Sequence, residues 1–298
     1  MADSKSVWVN LMGAEVRFIQ GKKFRTRVAI AGEGNDETLM MMHGGGGHLE
    51  TFAFNVMPLA QHFRVIAMES LWHGMSSAPE IEANRNAQLA EQVFDVMDAL
   101  GVDQVWMHGE AQGAQAVMHI ALNHPQRFKG FIFESGGGVV FKEGTVKPPL
   151  PPVGGIPMGE RTLALLKEPT WQGVKDRLLM VMHYQHPERV TDELVDIRYA
   201  HYSRPSTNDA QTRYYTSTPS QAQYAPTEDD IARIDKPVLV IWCDGSGGLG
   251  PDAGERMASI IPGAKFKKLP ETGYWAHWEC PDDFNEAVRR FIQGEPIT

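Results

Sequence analysis

The sequence predicts an α/β fold: a mostly parallel sheet with helices on both faces and one inserted helical segment. Three observations lead there. Short apolar runs without strong alternation recur at 39–42, 65–68, 105–107 and 131–133, as in strands covered on both faces. Stretches with helical spacing of apolar residues lie between them. The strand–helix alternation then stops from about residue 136 to 228 and resumes afterwards.

Taken in order, residues 15–20 and 24–30 flank Gly21 and read as an opening antiparallel hairpin. Helices are expected over 52–62, over 86–100 (apolar at Leu89, Val93, Val96, Met97 and Leu100) and over 112–123. Residues 238–242 and 265–269 supply two more strands, and a helix over 284–292 closes the chain. The core is therefore expected to comprise 1–135 and 229–298. Segment 136–228 has a Pro/Gly-rich entry at 148–155 and helix-like patterns over 161–167, 171–183 and 192–202. Its richness in Met, Tyr, Trp and His suits a mobile lid forming the upper wall of a substrate pocket. A helical insert with only structural duties is the alternative.

The 298 residues, 42% hydrophobic and 22% charged, suit one large domain or a domain plus an insert. A net charge of −9 and no basic cluster argue against nucleic acid or an anionic membrane as partner. An anionic small-molecule substrate would need a local cation. Cys243 and Cys280 make no disulfide scaffold. Residues 1–10 lack a signal-peptide layout, and no apolar run reaches membrane-spanning length, so a cytoplasmic location is expected.

The most informative motif is Gly109-Glu110-Ala111-Gln112-Gly113, between the apolar Val105-Trp106-Met107 and the helical pattern that follows. Strand, tight turn and helix would present the central residue at the turn, and small flanking residues allow close packing. Alanine there lends a backbone N–H but cannot attack a carbonyl. Two further segments stand out: the loop His43-Gly44-Gly45-Gly46-Gly47-His48, and Gly273-Tyr274-Trp275-Ala276-His277-Trp278-Glu279.

Together these three segments resemble the α/β-hydrolase superfamily and, more narrowly, the carbon–carbon bond hydrolases of aromatic meta-cleavage products. The resemblance spans about 15–291. It implies an eight-stranded sheet, a helical lid, a Ser-His-Asp triad, and cofactor-free hydrolysis of a vinylogous 1,5-diketone bearing a carboxylate. A homodimer is compatible with it. It makes the glycine loop an oxyanion loop, with Gly45, Gly46 and the neighbouring His48 facing substrate and the Gln112 N–H as second donor. Arg198 falls where the family's lid arginine grips the carboxylate; a surface salt bridge to Glu193 or Asp196 is the alternative. Trp275 matches a tryptophan beside the catalytic histidine, or is a core residue.

The three triad positions depart from the pattern: Ala111 stands at the nucleophile, Tyr274 at the histidine, and Ser246, within a residue or two, at the acid. A phenol with a reference pKa near ~10 is a poor base at neutral pH. His277 is the leading substitute base, with His48, His73 and His108 behind it. Glu134 at the end of the sixth strand, Asp244 and Asp252 are alternative acids, and Glu110 reads as structural. No H-x-x-x-H or H-E-x-x-H spacing and no P-loop occurs, and no G-x-G-x-x-G is expected to open a helix, so neither metal nor nucleotide cofactor is expected.

The resulting expectation is an enzyme acting on a carboxylated, aromatic-derived carbonyl compound. It would use another base and water, or cleave or isomerise without hydrolysis, with Tyr274 or His277 moving the proton. Two alternatives remain open: a ligand-binding pseudoenzyme, and a serine hydrolase carrying a Ser→Ala change at 111.

Overall fold

Alternate residues of the central strands feed two separate cores, which is why those strands read as unbroken apolar runs. In β3 (Thr38–Met42), Met40 and Met42 join one core while Leu39 and Met41 join the other. The computed structural model describes residues 6–148, 156–183, 185–217, 220–245 and 249–297. Its sheet has eight strands in the order β1-β2-β4-β3-β5-β6-β7-β8. These are β1 (Glu15–Gln20), β2 (Arg25–Ala31), β3, β4 (Arg64–Met68), β5 (Val105–Glu110), β6 (Phe128–Glu134), β7 (Val238–Cys243) and β8 (Lys265–Leu269). The hairpin β1–β2 and the pair β2–β4 are antiparallel; every other pairing is parallel.

Helices α1 (Val7–Asn10) and α2 (Ala53–Leu59) cover one face, and α3 (Arg85–Ala99) and α4 (Gln112–Asn123) cover the other. Between β6 and β7 run α5 (Met158–Lys167), α6 (Trp171–Leu179), α7 (Asp192–Ser203), α8 (Pro205–Ser217) and α9 (Glu228–Ile231). The only sheet-like feature in the described part of this insert is an isolated Val140–Thr227 bridge. Leu166, Val174, Leu178, Leu194 and Tyr202 anchor the insert to the α1/α2 core. Helix α10 (Pro251–Ile260) joins the α3/α4 face; α11 (Ala276–Glu279) and α12 (Pro281–Ile292) complete the other.

Two expected helix boundaries shift, and two helices were not expected. Helix α12 begins at Pro281, not 284, because proline at N1 gives up an N–H with no helical acceptor. Helix α6 stops at Leu179 rather than 183, with Met180 as its cap. Helices α8 and α10 escaped the pattern reading: both open on proline, and α8 is polar on most sides. Among the described residues, no helix is long and apolar enough to cross a membrane.

The elbow is built as the motif implies. Ala111 joins β5 to α4 at φ +45°, ψ −100°, and its N–H donates to the Glu134 carbonyl at 2.8 Å. A Cβ on Gly109 would sit 2.6 Å from the Gly113 backbone, and one on Gly113 would sit 2.6 Å from the Met42 carbonyl oxygen. Both glycines are thus imposed by close approach. Backbone strain of order ~1–3 kcal/mol at a non-glycine residue in this region persists although no nucleophile is presented. Ala111→Gly is expected to stabilise the fold by about 1 kcal/mol, the relief of strain less glycine's entropy cost. Thermal melts read this as a Tm raised by a few degrees; an unchanged or lower Tm would show that the elbow is unstrained.

Candidate active site

At the elbow the C-terminal ends of β5 and β6 open onto a cavity of about 350 Å³, bordered by Gly45, Ala111, Gln112, Tyr274, Trp242 and Phe141. The N–H groups of Gly45 and Gln112 donate to no described residue. Gln112 is the first residue of α4, so its N–H is one of the helix's orphan donors. These two groups have the character of an oxyanion site.

Gly46 departs from the expectation for that loop. Its N–H donates to His73 Nε2 at 2.9 Å, while His73 Nδ1 lies 2.8 Å from the Leu71 carbonyl oxygen. The N–H is therefore committed away from substrate. Burial holds the His73 pKa down to about 4, so the ring is neutral and acts as a structural acceptor. Gly44 likewise donates to Glu110 Oε2 at 2.6 Å, which leaves Gly45 as the donor of this loop.

Arg198 projects from α7 into the interior rather than into solvent, with 3% of its surface exposed. Its Nη1 lies 3.5 Å from where a Gly46 Cβ would stand and 3.5 Å from the Tyr202 hydroxyl. Its Nε and Nη2 have no hydrogen-bond partner, and no carboxylate pairs with it among the described residues. The surface-bridge alternative fails because Glu193 accepts from Ser6 and the Val7 N–H, and Asp196 accepts from Trp171. Trp275 is buried, its ring centroid 5.4 Å from the Arg198 guanidinium carbon. It serves both as core and as a face for the cation.

His48 is buried next to the loop, its Nδ1 3.0 Å from Glu50 Oε2, and burial lowers its pKa to about 3 despite that bond. With His201 it forms a His48–Glu50–His201 group whose ligand atoms lie within 4.8 Å, a convergence that sequence spacing did not reveal. Glu50 is already paired with Arg27 at 2.7 Å, and Arg198 acts on His48, so a cation there would meet two guanidiniums. The group braces the glycine loop.

Of the triad positions, Tyr274 borders the cavity, half-buried. Burial and the Glu110 charge push its phenol pKa up against a smaller opposing effect of Arg177, so it is a neutral donor at pH 7 rather than a base. Ser246 lies outside the described residues. Asp244 is exposed, and Asp252 accepts from the Lys147 N–H.

His277 and Glu134 do meet, beneath the elbow. Glu134 Oε1 accepts from the His277 N–H at 3.1 Å and lies 2.9 Å from His277 Nδ1; Oε2 lies 2.8 Å from His108 Nε2. Burial would raise the Glu134 pKa, but the His277 charge and the bonds from both histidines hold it at about 2. Burial would likewise lower His277, and Glu134 outweighs it to raise that pKa. His277 is fully buried, packed on Phe52 at 5.0 Å, and does not border the cavity. Glu134 holds its Nδ1, and its Nε2 has no hydrogen-bond partner among the described residues.

Sequence reasoning missed Tyr215, whose hydroxyl lies 3.7 and 3.4 Å from the Cβ positions of Gly45 and Gly46. It sits in the unrecognised helix α8, where no apolar period marked which face turned inward.

Two buried carboxyls give opposite pH signatures. Glu134 contributes stability that is intact above the unfolded value near 4.5 and lost as pH falls toward 2. Glu110 is pushed up to about 8, chiefly by burial and then by the Glu134 charge. Its contribution is full below 4.5 and lost as pH rises through 8. Melting curves against pH are expected to lose the acid limb in Glu134→Gln and flatten between pH 5 and 9 in Glu110→Gln. Parallel shifts at all pH values would contradict both assignments.

The chain is 27% identical over 295 residues to the 2-hydroxy-6-oxo-6-phenylhexa-2,4-dienoate hydrolase of Burkholderia cepacia, covering 97% of this chain and 96% of that relative. It is 28% identical over 268 residues to 2-hydroxy-6-oxononadienedioate/2-hydroxy-6-oxononatrienedioate hydrolase 2 of Pseudomonas putida, covering 88% and 89%. A solved serine hydrolase from the polyaromatic-hydrocarbon-degrading bacterium Cycloclasticus zankles superposes with a TM-score of 0.80 at 17% identity, covering 95% of this chain and 99% of that one. Residues 37–281 match the family described as the alpha/beta hydrolase fold. With its eight-stranded sheet, strained elbow and glycine loop, this chain belongs to the α/β-hydrolase fold family.

Proposed function

We propose that this protein is a cofactor-independent enzyme acting on a carboxylated ring-opened dienoate, with water rather than serine as the attacking group. The observation that carries this reading is the buried Arg198 guanidinium without a counter-charge. An uncompensated buried charge costs several kcal/mol, and a carboxylate brought by the substrate removes that cost while satisfying two N–H donors at once. The names of the relatives, hydrolases of 2-hydroxy-6-oxo-dienoates, supply the matching substrate class.

The carboxylate sits on Arg198, and a carbonyl oxygen lies at the N–H groups of Gly45 and Gln112. Those two donors polarise the carbonyl and stabilise negative charge that develops on it. As water adds to the carbonyl carbon and the adjacent C–C bond breaks, Tyr274, a neutral phenol at the cavity wall, gives its proton to the leaving carbon, and the proton released by that water returns to the phenolate. No covalent acyl-enzyme forms, because Ala111 has no attacking atom. The helical insert, which carries Arg198 and Tyr215, acts as the lid.

A second reading, a serine hydrolase altered at position 111, is favoured by one observation: Ala111 keeps the strained dihedrals that would present a serine. The two readings separate in one experiment. Turnover of 2-hydroxy-6-oxo-dienoates is followed by absorbance for the wild type, Ala111→Ser and Ala111→Ser/Tyr274→His. The present reading expects measurable wild-type turnover, abolished kcat in Tyr274→Phe, and at least ~30-fold weaker substrate binding in Arg198→Ala. A dead wild type with activity appearing on restoring serine would establish the second reading. No binding of any carboxylated dienoate would overturn both.

A further inference from the structure

The polar side chains that border the elbow cavity are Gln112, Gln115, Ser135, Trp242 and Tyr274. Most of them are spoken for. Trp242 Nε1 donates to the Leu249 carbonyl at 3.1 Å, and Ser135 Oγ is itself buried. Tyr274 is the neutral proton donor of the site. Gln115 packs on Gly138, its Cγ 3.0 Å and its Nε2 3.7 Å from where a Gly138 Cβ would stand. Gln112 differs. Its Oε1 lies 2.5 Å from where a Gly45 Cβ would stand, so its carboxamide rests against the glycine whose N–H is one of the two free donors. That carboxamide makes no hydrogen bond to any described residue, and neither of its polar atoms is shut off from solvent.

The Ala111 side chain ends at Cβ, and Gln112 is the residue that follows it on the cavity wall. A water that attacks there needs an acceptor to fix which lone pair faces the carbonyl carbon. A carboxamide supplies an acceptor and a donor in one plane, and glutamine plays this part toward the attacking water in some phosphoryl transfers. We propose that the Gln112 side chain is a catalytic residue that orients the attacking water, its Oε1 accepting one O–H while the N–H groups of Gln112 and Gly45 hold the carbonyl oxygen. The inference rests on the hydrolytic reading above and adds a group to it. In the step, the water oxygen bonds to the carbonyl carbon and the C–C bond breaks. Its electron pair passes to the leaving carbon, which takes the Tyr274 proton. One water proton restores the phenol, and the other stays on the carboxylic acid that forms. Gln112 gains and loses no proton, so it directs the water without acting as its base.

The test follows turnover of a 2-hydroxy-6-oxo-dienoate by the full-length protein, with methanol present as a competing nucleophile and the products separated by chromatography. Gln112→Met keeps the backbone N–H and the side-chain length but removes the acceptor. It is expected to lower kcat at least about tenfold, the scale of one hydrogen bond lost in the transition state, with KM within about twofold. The wild type is expected to release the acid alone. Gln112→Ala is expected to release methyl ester as well, because water is no longer selected and the shortened side chain leaves room for a methyl group. An unchanged kcat in Gln112→Met would overturn the inference. So would a raised KM at constant kcat, since the side chain would then grip substrate rather than water. Equal ester fractions from wild type and Gln112→Ala would overturn it too, and this readout decides alone where Gln112→Met fails to fold. A wild type that turns over no dienoate takes the hydrolytic reading down as well, which separates the two failures.

Discussion

A guanidinium buried without a counter-charge is the constraint on which the site depends. Arg198 is held between the Trp275 and Tyr202 rings, beside the glycine loop, with two N–H-bearing atoms unsatisfied. Burying an ion this way opposes folding, and helix α7 bears that cost through the packing of Leu194, Val195 and Tyr202. The arrangement makes physical sense when the compensating charge arrives with a ligand. Around it the loop is fixed from behind by neutral histidines and buried carboxyls: His73 takes the Gly46 N–H, Glu110 takes that of Gly44, and Glu50 ties His48 to Arg27. The unclaimed N–H groups of Gly45 and Gln112 belong to residues that border the cavity, and Arg198 lies beside Gly46 of the same loop.

The elbow tells a parallel story. Its strain is sustained by the close approach of Gly109 to Gly113 and of Gly113 to β3, and by the bond from Ala111 N–H to Glu134. None of these contacts requires a serine. The backbone donor at Gln112 is therefore preserved independently of the nucleophile, and carbonyl polarisation is separable from covalent catalysis.

Much of the architecture was legible because it rests on local pattern. The double-faced strands, the opening hairpin, α3 and α4 all announce themselves through apolar spacing, and the three glycine-containing segments place the cavity. Helix α8 stayed hidden because mixed polarity weakens its period, whereas α10 carries a clear apolar face with Ala253 and Met257 and was passed over. The site was only half readable for a different reason. Burial of Arg198 and its lack of a partner are properties of three dimensions: Glu193 and Asp196 lie on the same helix as Arg198, yet both bond elsewhere. The same holds for His277, where the sequence shows a histidine near the right position and only packing reveals that Glu134 holds its Nδ1. Tyr215 carried no motif at all.

The most direct measurement is a crystal structure of the wild-type protein soaked with a carboxylated 2-hydroxy-6-oxo-dienoate. The account predicts density with a carboxylate in fork contact with the Arg198 guanidinium and a carbonyl oxygen within hydrogen-bond reach of the Gly45 and Gln112 N–H groups. Density that leaves Arg198 without the carboxylate, or shows its guanidinium paired with a protein side chain, would contradict it.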